Sequence, residues 1–128
     1  MSFDRKYLLW ALAYAAIGLS LGIFMAASHN HAQHVTHAHI LLVGFVLSLG
    51  YGIIHKLWLG HPNPIVTRIQ FIVHQAGAMT LLTGLLLLYG NALPEPQLDP
   101  ILGIASITVL VGALLMFYMV LKTSAVKT

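Results

Sequence analysis

Four long apolar stretches constrain this chain more than any other feature of its sequence. They cover residues 7–27, 35–57, 69–89 and 101–121, and each reaches the ~20 residues that a helix needs to cross the hydrocarbon core of a bilayer. Charged residues make up only 7% of the chain, whereas a soluble domain carries about 25%. We therefore expect an integral membrane protein whose immediate partner is the lipid bilayer.

The connectors between these stretches are short and contain residues that break helices. They are a polar, His-rich stretch at 28–34, the sequence Gly-His-Pro-Asn-Pro at 60–64, and a Pro-containing segment at 90–100. Short connectors make sequential helices antiparallel neighbours, and lipid requires backbone hydrogen bonds to close within each helix. The sequence thus predicts an all-α membrane protein, a four-transmembrane up-down helix bundle forming one domain over residues 1–128. We expect the first stretch to be retained, because it is long and lacks the cleavage site of a signal peptide.

The basic residues predict the orientation of the bundle. All six fall on one side of the expected topology: Arg5, Lys6, Lys56, Arg68, Lys122 and Lys127. Lys and Arg close to helix ends are retained on the cytoplasmic side, so both termini should be cytoplasmic and the His-rich connector should face outward, as in a bacterial-type inner membrane. The net charge of +3 is then a matter of topology. It does not indicate nucleic acid, because the basic residues form no patch with interleaved aromatic residues.

Several classes of chemistry are excluded by composition. The chain has no Cys, which removes disulfides, iron–sulfur clusters and thiolate nucleophiles. The only acidic residues are Asp4, Glu95 and Asp99, and all three lie at helix ends or in connectors, which argues against a hydrolytic enzyme. Any bound metal must be held by histidine, carboxylate, methionine or backbone groups.

Histidine is the residue type that packing and topology do not explain. The chain contains eight: His29, His31, His34, His37, His39, His55, His61 and His74. Ionisable groups inside a membrane are costly and indicate function by default, and neutral imidazole ligates zinc, copper and haem iron. For His37 the functional interpretation is an axial haem ligand or part of an outer metal site. The structural alternative is an interfacial side chain bonded to a neighbouring carbonyl.

Helical geometry separates the roles of the histidines on the second stretch. At ~100° and ~1.5 Å per residue, His37 and His55 lie on one line but ~27 Å apart, near opposite membrane faces. His39 lies ~200° around the helix from His37, so the two should act separately. Three further histidines precede them: His29, His31 and His34. As a group these could bind a metal ion at the surface, although each alone is typical of a solvated loop.

His74 lies inside the third stretch and presents two alternatives. Its face also carries Gln70, Gly77 and Gly84, and the missing side chains of the two glycines favour a cofactor pocket. Its expected depth, however, is ~20 Å below His37 at 1.5 Å per residue, too far for both to ligate one iron. The structural alternative is a hydrogen bond across the bundle, for example to Ser48 or Tyr51.

A longer motif surrounds His37 and indicates a family. The sequence VTHAHILLVGFVLSLGYGIIHKLW at residues 35–58 resembles the second helix of catalytic subunits in the haem-copper oxidase superfamily, most closely the nitric-oxide reductase branch. It also resembles a small four-helix family grouped with those oxidases, which has a comparable HAH helix and a histidine in its third helix. In this comparison His37 matches the haem-ligating position, and Gly52 and His55 fall where the family has Gly and Tyr.

The resemblance implies haem b but not a complete oxidase site. The copper-binding histidines and the second low-spin haem ligand of the family lie on later helices that this chain does not contain. The sixth ligand must then be local: an outer-loop histidine, Met25, or His37 of a second subunit in a parallel homodimer. The chain should therefore transfer electrons at most, with a redox partner or a quinone, rather than reduce oxygen or nitric oxide by itself.

Three interpretations of function remain open at this point. The first is a haem b membrane protein that carries electrons or senses a diatomic gas, with His37, His39 and His74 as the candidate cofactor-binding residues. The second is a protein that handles copper or zinc through His29, His31 and His34. The third is an accessory subunit that binds no cofactor.

Overall fold

Four long helices form the described part of the chain. The computed structural model describes residues 1–124 and contains α1 (Phe3–Ser28), α2 (His34–Leu57), α3 (Pro64–Tyr89) and α4 (Glu95–Lys122). Each is long and apolar enough to cross a membrane. The predicted fold class, an all-α four-transmembrane bundle, is confirmed.

The third and fourth helices begin about a turn earlier than the apolar stretches indicate. Helix α3 starts at Pro64, directly after Asn63, whose side-chain oxygen accepts the backbone N–H of Ile65 at 2.9 Å. Proline suits the first turn of a helix because its N–H has no partner to lose there. Helix α4 starts at Glu95 and includes Pro100, which we had expected in the connector. Counting apolar residues misses these polar, Pro-containing first turns.

Helix α2 is not uniformly α-helical. It is α-helical over His34–His39, π-helical over Ile40–Val46 and α-helical again over Leu47–Leu57. A π segment closes its bonds from i to i+5, so the α-helical periodicity does not run unbroken along α2. The expectation that His37 and His55 lie on one line assumed uniform α-helical geometry. Both rings nevertheless contact α1, that of His37 at Gly18 and that of His55 at Tyr7.

Glycines allow close packing within two antiparallel helix pairs. Between α1 and α2, a Cβ atom at Gly44 would lie 2.6 Å from Cγ of Tyr14. Between α3 and α4, a Cβ atom at Gly84 would lie 2.6 Å from Cδ2 of Leu102. Because lipid removes any hydrophobic drive for helix association, such close contact between small residues stabilises each pair.

Hydrogen bonds between side chains join the two pairs to each other. The hydroxyl of Tyr7 donates to Gln70, and that of Tyr14 donates to Gln75 Oε1 at 2.7 Å, so α1 is bonded twice to α3. Helix α2 adds a bond of 3.1 Å between Ser48 Oγ and His74 Nε2. Helix α3 therefore carries the polar side chains through which the two pairs are bonded.

The chain start, the second connector and the end of α4 lie at one end of the bundle. Gly52 of α2 packs on the backbone of Asp4 and on Tyr7, and the N–H of Gly60 donates to the carbonyl of Ser124 at 3.0 Å. At the opposite end, Gln33 Nε2 donates to the carbonyl of Leu86 at 3.0 Å. Five of the six basic residues belong to the first end, and Lys127 lies outside the described residues.

The outer surface of the bundle is apolar, as lipid requires. Large hydrophobic side chains such as Ile23, Leu42, Ile72 and Phe117 are 71%, 62%, 56% and 66% exposed. The buried residues, by contrast, include Ser48, Gln70 and His74, each 0% exposed. This distribution is that of an integral membrane protein with a partly polar interior.

Candidate functional site

His37 lies near the start of α2, against α1. Its Nδ1 atom is 2.8 Å from the carbonyl oxygen of Gly18, so Nδ1 carries the hydrogen and donates it. In the neutral ring Nε2 then has the free lone pair. The ring also covers Gly22, where a Cβ atom would lie 2.8 Å from Cε1 of His37. The carbonyl bond that we considered as the structural alternative is therefore present, and it leaves Nε2 able to ligate a metal.

His39 is held by its own helix. Its Nδ1 donates to the carbonyl of Val35 at 2.9 Å, whereas the ring of His37 is held by α1. Both rings are partly buried. The two rings are thus held by different helices, and their separate roles stay a prediction.

The outer histidines form a turn. His29 ends α1 in the left-handed conformation, with φ 54°, and His34 Nδ1 donates to the carbonyl of His31 at 3.0 Å. All three side chains are exposed. Within residues 1–124, no three His, Cys, Asp or Glu side chains are grouped closely enough to hold a metal ion. The described geometry therefore gives no support to a metal site at His29, His31 and His34.

His74 is the most deeply placed histidine, with 0% exposure. Its Nε2 is 3.1 Å from Ser48 Oγ, which is one of the two cross-bundle bonds considered for it. Ser48 Oγ also accepts from Gln75 Nε2 at 3.4 Å, and Gln75 Oε1 accepts from Tyr14. A chain of polar groups thus runs from α1 through α3 to α2 and back to His74.

The glycine face of α3 is filled by α4. A Cβ atom at Gly77 would lie 3.0 Å from Cγ2 of Thr108, and one at Gly84 would meet Leu102. Gly112 of α4 in turn packs on the backbone of His74, at 3.3 Å from its Cα. The space that we attributed to a cofactor pocket beside His74 is therefore occupied by helix packing.

A cluster of aromatic and polar side chains surrounds Tyr7 at the end of the bundle where the chain begins. The ring of Tyr7 lies 5.5 Å from that of Tyr51, 5.7 Å from that of His55 and 6.2 Å from that of His74, between centroids. The rings of Tyr51 and His74 are 5.0 Å apart at 87°. His55 and His74 each contact Tyr7 and are not bonded to each other.

The sequence pattern indicates His55, His74, Tyr51 and Gln70 but not Tyr7 or Gln75. Tyr7 and Gln75 nevertheless take part in the bonds that join the helix pairs. The available signal was the presence of two glutamines in one membrane-spanning stretch, because an amide in lipid requires partners.

The bundle also contains an apolar cavity of about 350 Å³ between α1, α2 and α3. Trp10, Tyr14, Ile40, Met79 and Leu86 are among its lining residues. No histidine is among the described residues that line it. A cofactor ligated by His37 would therefore lie outside this cavity.

Comparison with known proteins gave no relative. No protein-family model matches the chain, and no curated protein or solved structure matches it either.

Proposed function

We propose that this protein is a haem b-binding membrane protein that carries electrons or senses a diatomic gas, with His37 as an axial ligand. The observation that carries the proposal is the bond of 2.8 Å from Nδ1 of His37 to the carbonyl of Gly18. Metal-ligating histidines commonly donate their other ring N–H to a carbonyl or carboxylate, which fixes the ring orientation and raises the basicity of the ligating nitrogen. The resemblance of residues 35–58 to the haem-ligating helix of the oxidases supports the same residue.

The residues around His37 fix the orientation of its imidazole ring, as a histidine that ligates iron requires. Gly18 supplies the accepting carbonyl, and Gly22 leaves room for the ring because it has no side chain. The haem would supply a one-electron iron centre, and the protein would supply its axial nitrogen and an apolar surrounding. His39, held by Val35 on its own helix, would not ligate the same iron.

A second copy of the chain would complete the site. The apolar pocket between α1, α2 and α3 is not lined by His37, so the haem would lie elsewhere on the surface of the α1–α2 pair. In a parallel homodimer two copies of His37 stand at equal depth by symmetry, and each would donate one axial nitrogen.

The basic residues support an orientation for this site. Arg5, Lys6, Lys56, Arg68 and Lys122 belong to one end of the bundle, and basic residues close to spans are retained in the cytoplasm. We therefore place both termini in the cytoplasm of a bacterial-type inner membrane and His37 near the outer face. From there a redox partner or a membrane quinone could exchange electrons with the haem.

Optical spectroscopy tests the proposal. The chain is purified from cells supplied with haem precursor, and its oxidised and reduced spectra are recorded with the haem and metal content. A Soret band with sharp alpha bands on reduction, at one haem per two chains, is the expected result. A colourless protein, or one that contains stoichiometric copper or zinc, would overturn it in favour of a His-based metal protein or a cofactor-free subunit.

A further inference from the structure

Three buried polar atoms at the chain-start end of the bundle have no hydrogen-bond partner among the described residues. They are the hydroxyl of Tyr51, Nε2 of His55 and Nδ1 of His74. Their side chains are 4%, 9% and 0% exposed. Buried polar groups are nearly always bonded, because an unpaired one loses its water without compensation. Three in one region require an explanation.

These atoms belong to a single cluster. Tyr51 and His55 are one helical turn apart on α2 and therefore neighbours on its surface. The ring of His74 approaches that of Tyr51 to 5.0 Å, and the ring of Tyr7 contacts all three side chains. Phe3 stacks on His55 at 5.9 Å and covers the cluster towards the helix ends.

The hydrogen bonds around His74 leave its Nδ1 unpaired. Tyr14 donates to Gln75 Oε1, and Gln75 Nε2 donates to Ser48 Oγ. The hydroxyl hydrogen of Ser48 is then free to be donated to Nε2 of His74, 3.1 Å away. In that arrangement Nδ1 of the neutral imidazole carries the hydrogen and needs an acceptor.

The nearest bonded neighbour, Tyr7, does not accept a hydrogen bond from Nδ1 of His74. The hydroxyl of Tyr7 already donates to Gln70, and Gln70 Nε2 donates to the carbonyl of Gly112 at 3.1 Å. The Tyr7 hydroxyl thus belongs to a second polar chain, and its oxygen is not bonded to His74. The unpaired atoms of Tyr51, His55 and His74 therefore need a hydrogen-bonding partner that is a small molecule and not a neighbouring side chain.

We propose that this cluster is a binding site for internal water. Water fits because it both donates and accepts, and a buried water typically makes about three hydrogen bonds to otherwise unpaired groups. One molecule accepts from Nδ1 of His74 and bonds the hydroxyl of Tyr51, and the bonded chain continues to Nε2 of His55. The site is independent of the proposed haem, whose ligand contacts the other half of α1.

The first test compares two buried tyrosines. Tyr51→Phe and Tyr14→Phe each remove one hydroxyl, and the melting temperature of each variant is measured in the same detergent. Tyr14 is bonded to Gln75, so its loss should lower Tm in any case. A hydrated site predicts that Tyr51→Phe also lowers Tm, by several degrees. A dry site predicts that removal of an unpaired hydroxyl leaves Tm unchanged or raises it.

The second test detects the water directly. Brief X-ray radiolysis converts bound water into hydroxyl radicals that modify adjacent side chains, and mass spectrometry locates the modification. We expect Tyr51 and His74 to be modified several-fold faster than Tyr14, although all three are buried. The proposal requires both results: equal labelling of Tyr51 and Tyr14, or a Tyr51→Phe variant with unchanged or raised Tm, would overturn it.

Discussion

Nε2 of His74 and Oγ of Ser48 lie 3.1 Å apart in the middle of the bundle, and this contact connects the second helix to the third. Both side chains are completely buried. An imidazole that is bonded to a hydroxyl and packed against Gly112 has a structural role whether or not the protein carries a cofactor.

Ser48→Ala should destabilise the bundle. The variant leaves Nε2 of His74 and an N–H of Gln75 without a partner, and such losses cost about 1 kcal/mol of unfolding free energy. Ser106→Ala is the matched control, because Ser106 is exposed and bonds only the carbonyl of Leu102 in its own helix, at 2.7 Å. Unfolding in detergent measures the difference. Equal stability of the two variants would show that the Ser48–His74 bond contributes nothing.

His37→Ala should abolish or reshape the Soret band of the purified protein, because the proposed axial nitrogen is lost. His39→Ala should preserve the iron coordination, since its ring is held by Val35. His61→Ala, in the exposed turn at the other end of the bundle, should leave the spectrum unchanged. Haem content that is the same in the His37 variant as in the unmodified protein would remove His37 as the ligand.

His74→Ala should lower stability while the haem signal persists. The bond to Ser48 is lost and a cavity is left beside Tyr51, but the proposed iron lies elsewhere. Spectra and melting curves recorded on the same sample separate the two effects. If His37→Ala and His74→Ala each eliminated one and the same haem, both residues would have to ligate it, and the separation of the two sites would be wrong.

Gly22→Ala should disturb the proposed site without a change to any histidine. Its new methyl group would lie 2.8 Å from Cε1 of His37, so the ring must move away from the carbonyl of Gly18. We expect weaker haem binding or a shifted alpha band. Gly50→Ala is the control, because a Cβ atom there meets nothing within 4 Å, and alanine favours the helix by about 0.5–1 kcal/mol. An unaltered spectrum in Gly22→Ala would contradict the assignment of His37.

Single cysteines at Asn30 and Asn63 determine the orientation. Both positions are exposed, at opposite ends of the bundle, and the chain has no Cys of its own. A membrane-impermeant thiol reagent added to intact cells should label the cysteine at position 30 and not that at position 63. Labelling of position 63 alone would invert the topology and place His37 at the cytoplasmic face.

The bundle itself was predictable from sequence because its cause is compositional. Four apolar stretches of membrane length, with Pro and Gly between them, leave few alternatives. The starts of α3 and α4 were harder to predict, because proline residues such as Pro64 and Pro100 occur both in the first turns of helices and in connectors. The π-helical segment Ile40–Val46 was not predictable, because its sequence ILLVGFV carries no proline or other break in hydrophobic pattern.

The candidate site was only partly predictable. The sequence identifies His37 as chemically unusual and offers Ser48 as a partner of His74, and that bond is present. It does not show that Gly18 and Gly22 hold the His37 ring, because the pairing of α1 with α2 depends on distant contacts. Nor does it show that α4 fills the glycine face beside His74, since a stripe of glycines suits a helix and a cofactor equally well.

Glycine contacts act within each helix pair and polar side chains act between the pairs, which bears on how the bundle assembles in the bilayer. Each helix pair meets through close glycine contacts, whereas the bonds of Tyr7, Tyr14 and Ser48 all cross from one pair to the other. Each hairpin is therefore suited to insert as a unit, while the hydroxyls of Tyr7, Tyr14 and Ser48 still lack their partners in the other hairpin. Docking of the two hairpins is then the step that supplies these partners, and a chain that fails to dock leaves the amide of Gln75 and the imidazole of His74 unpaired in lipid.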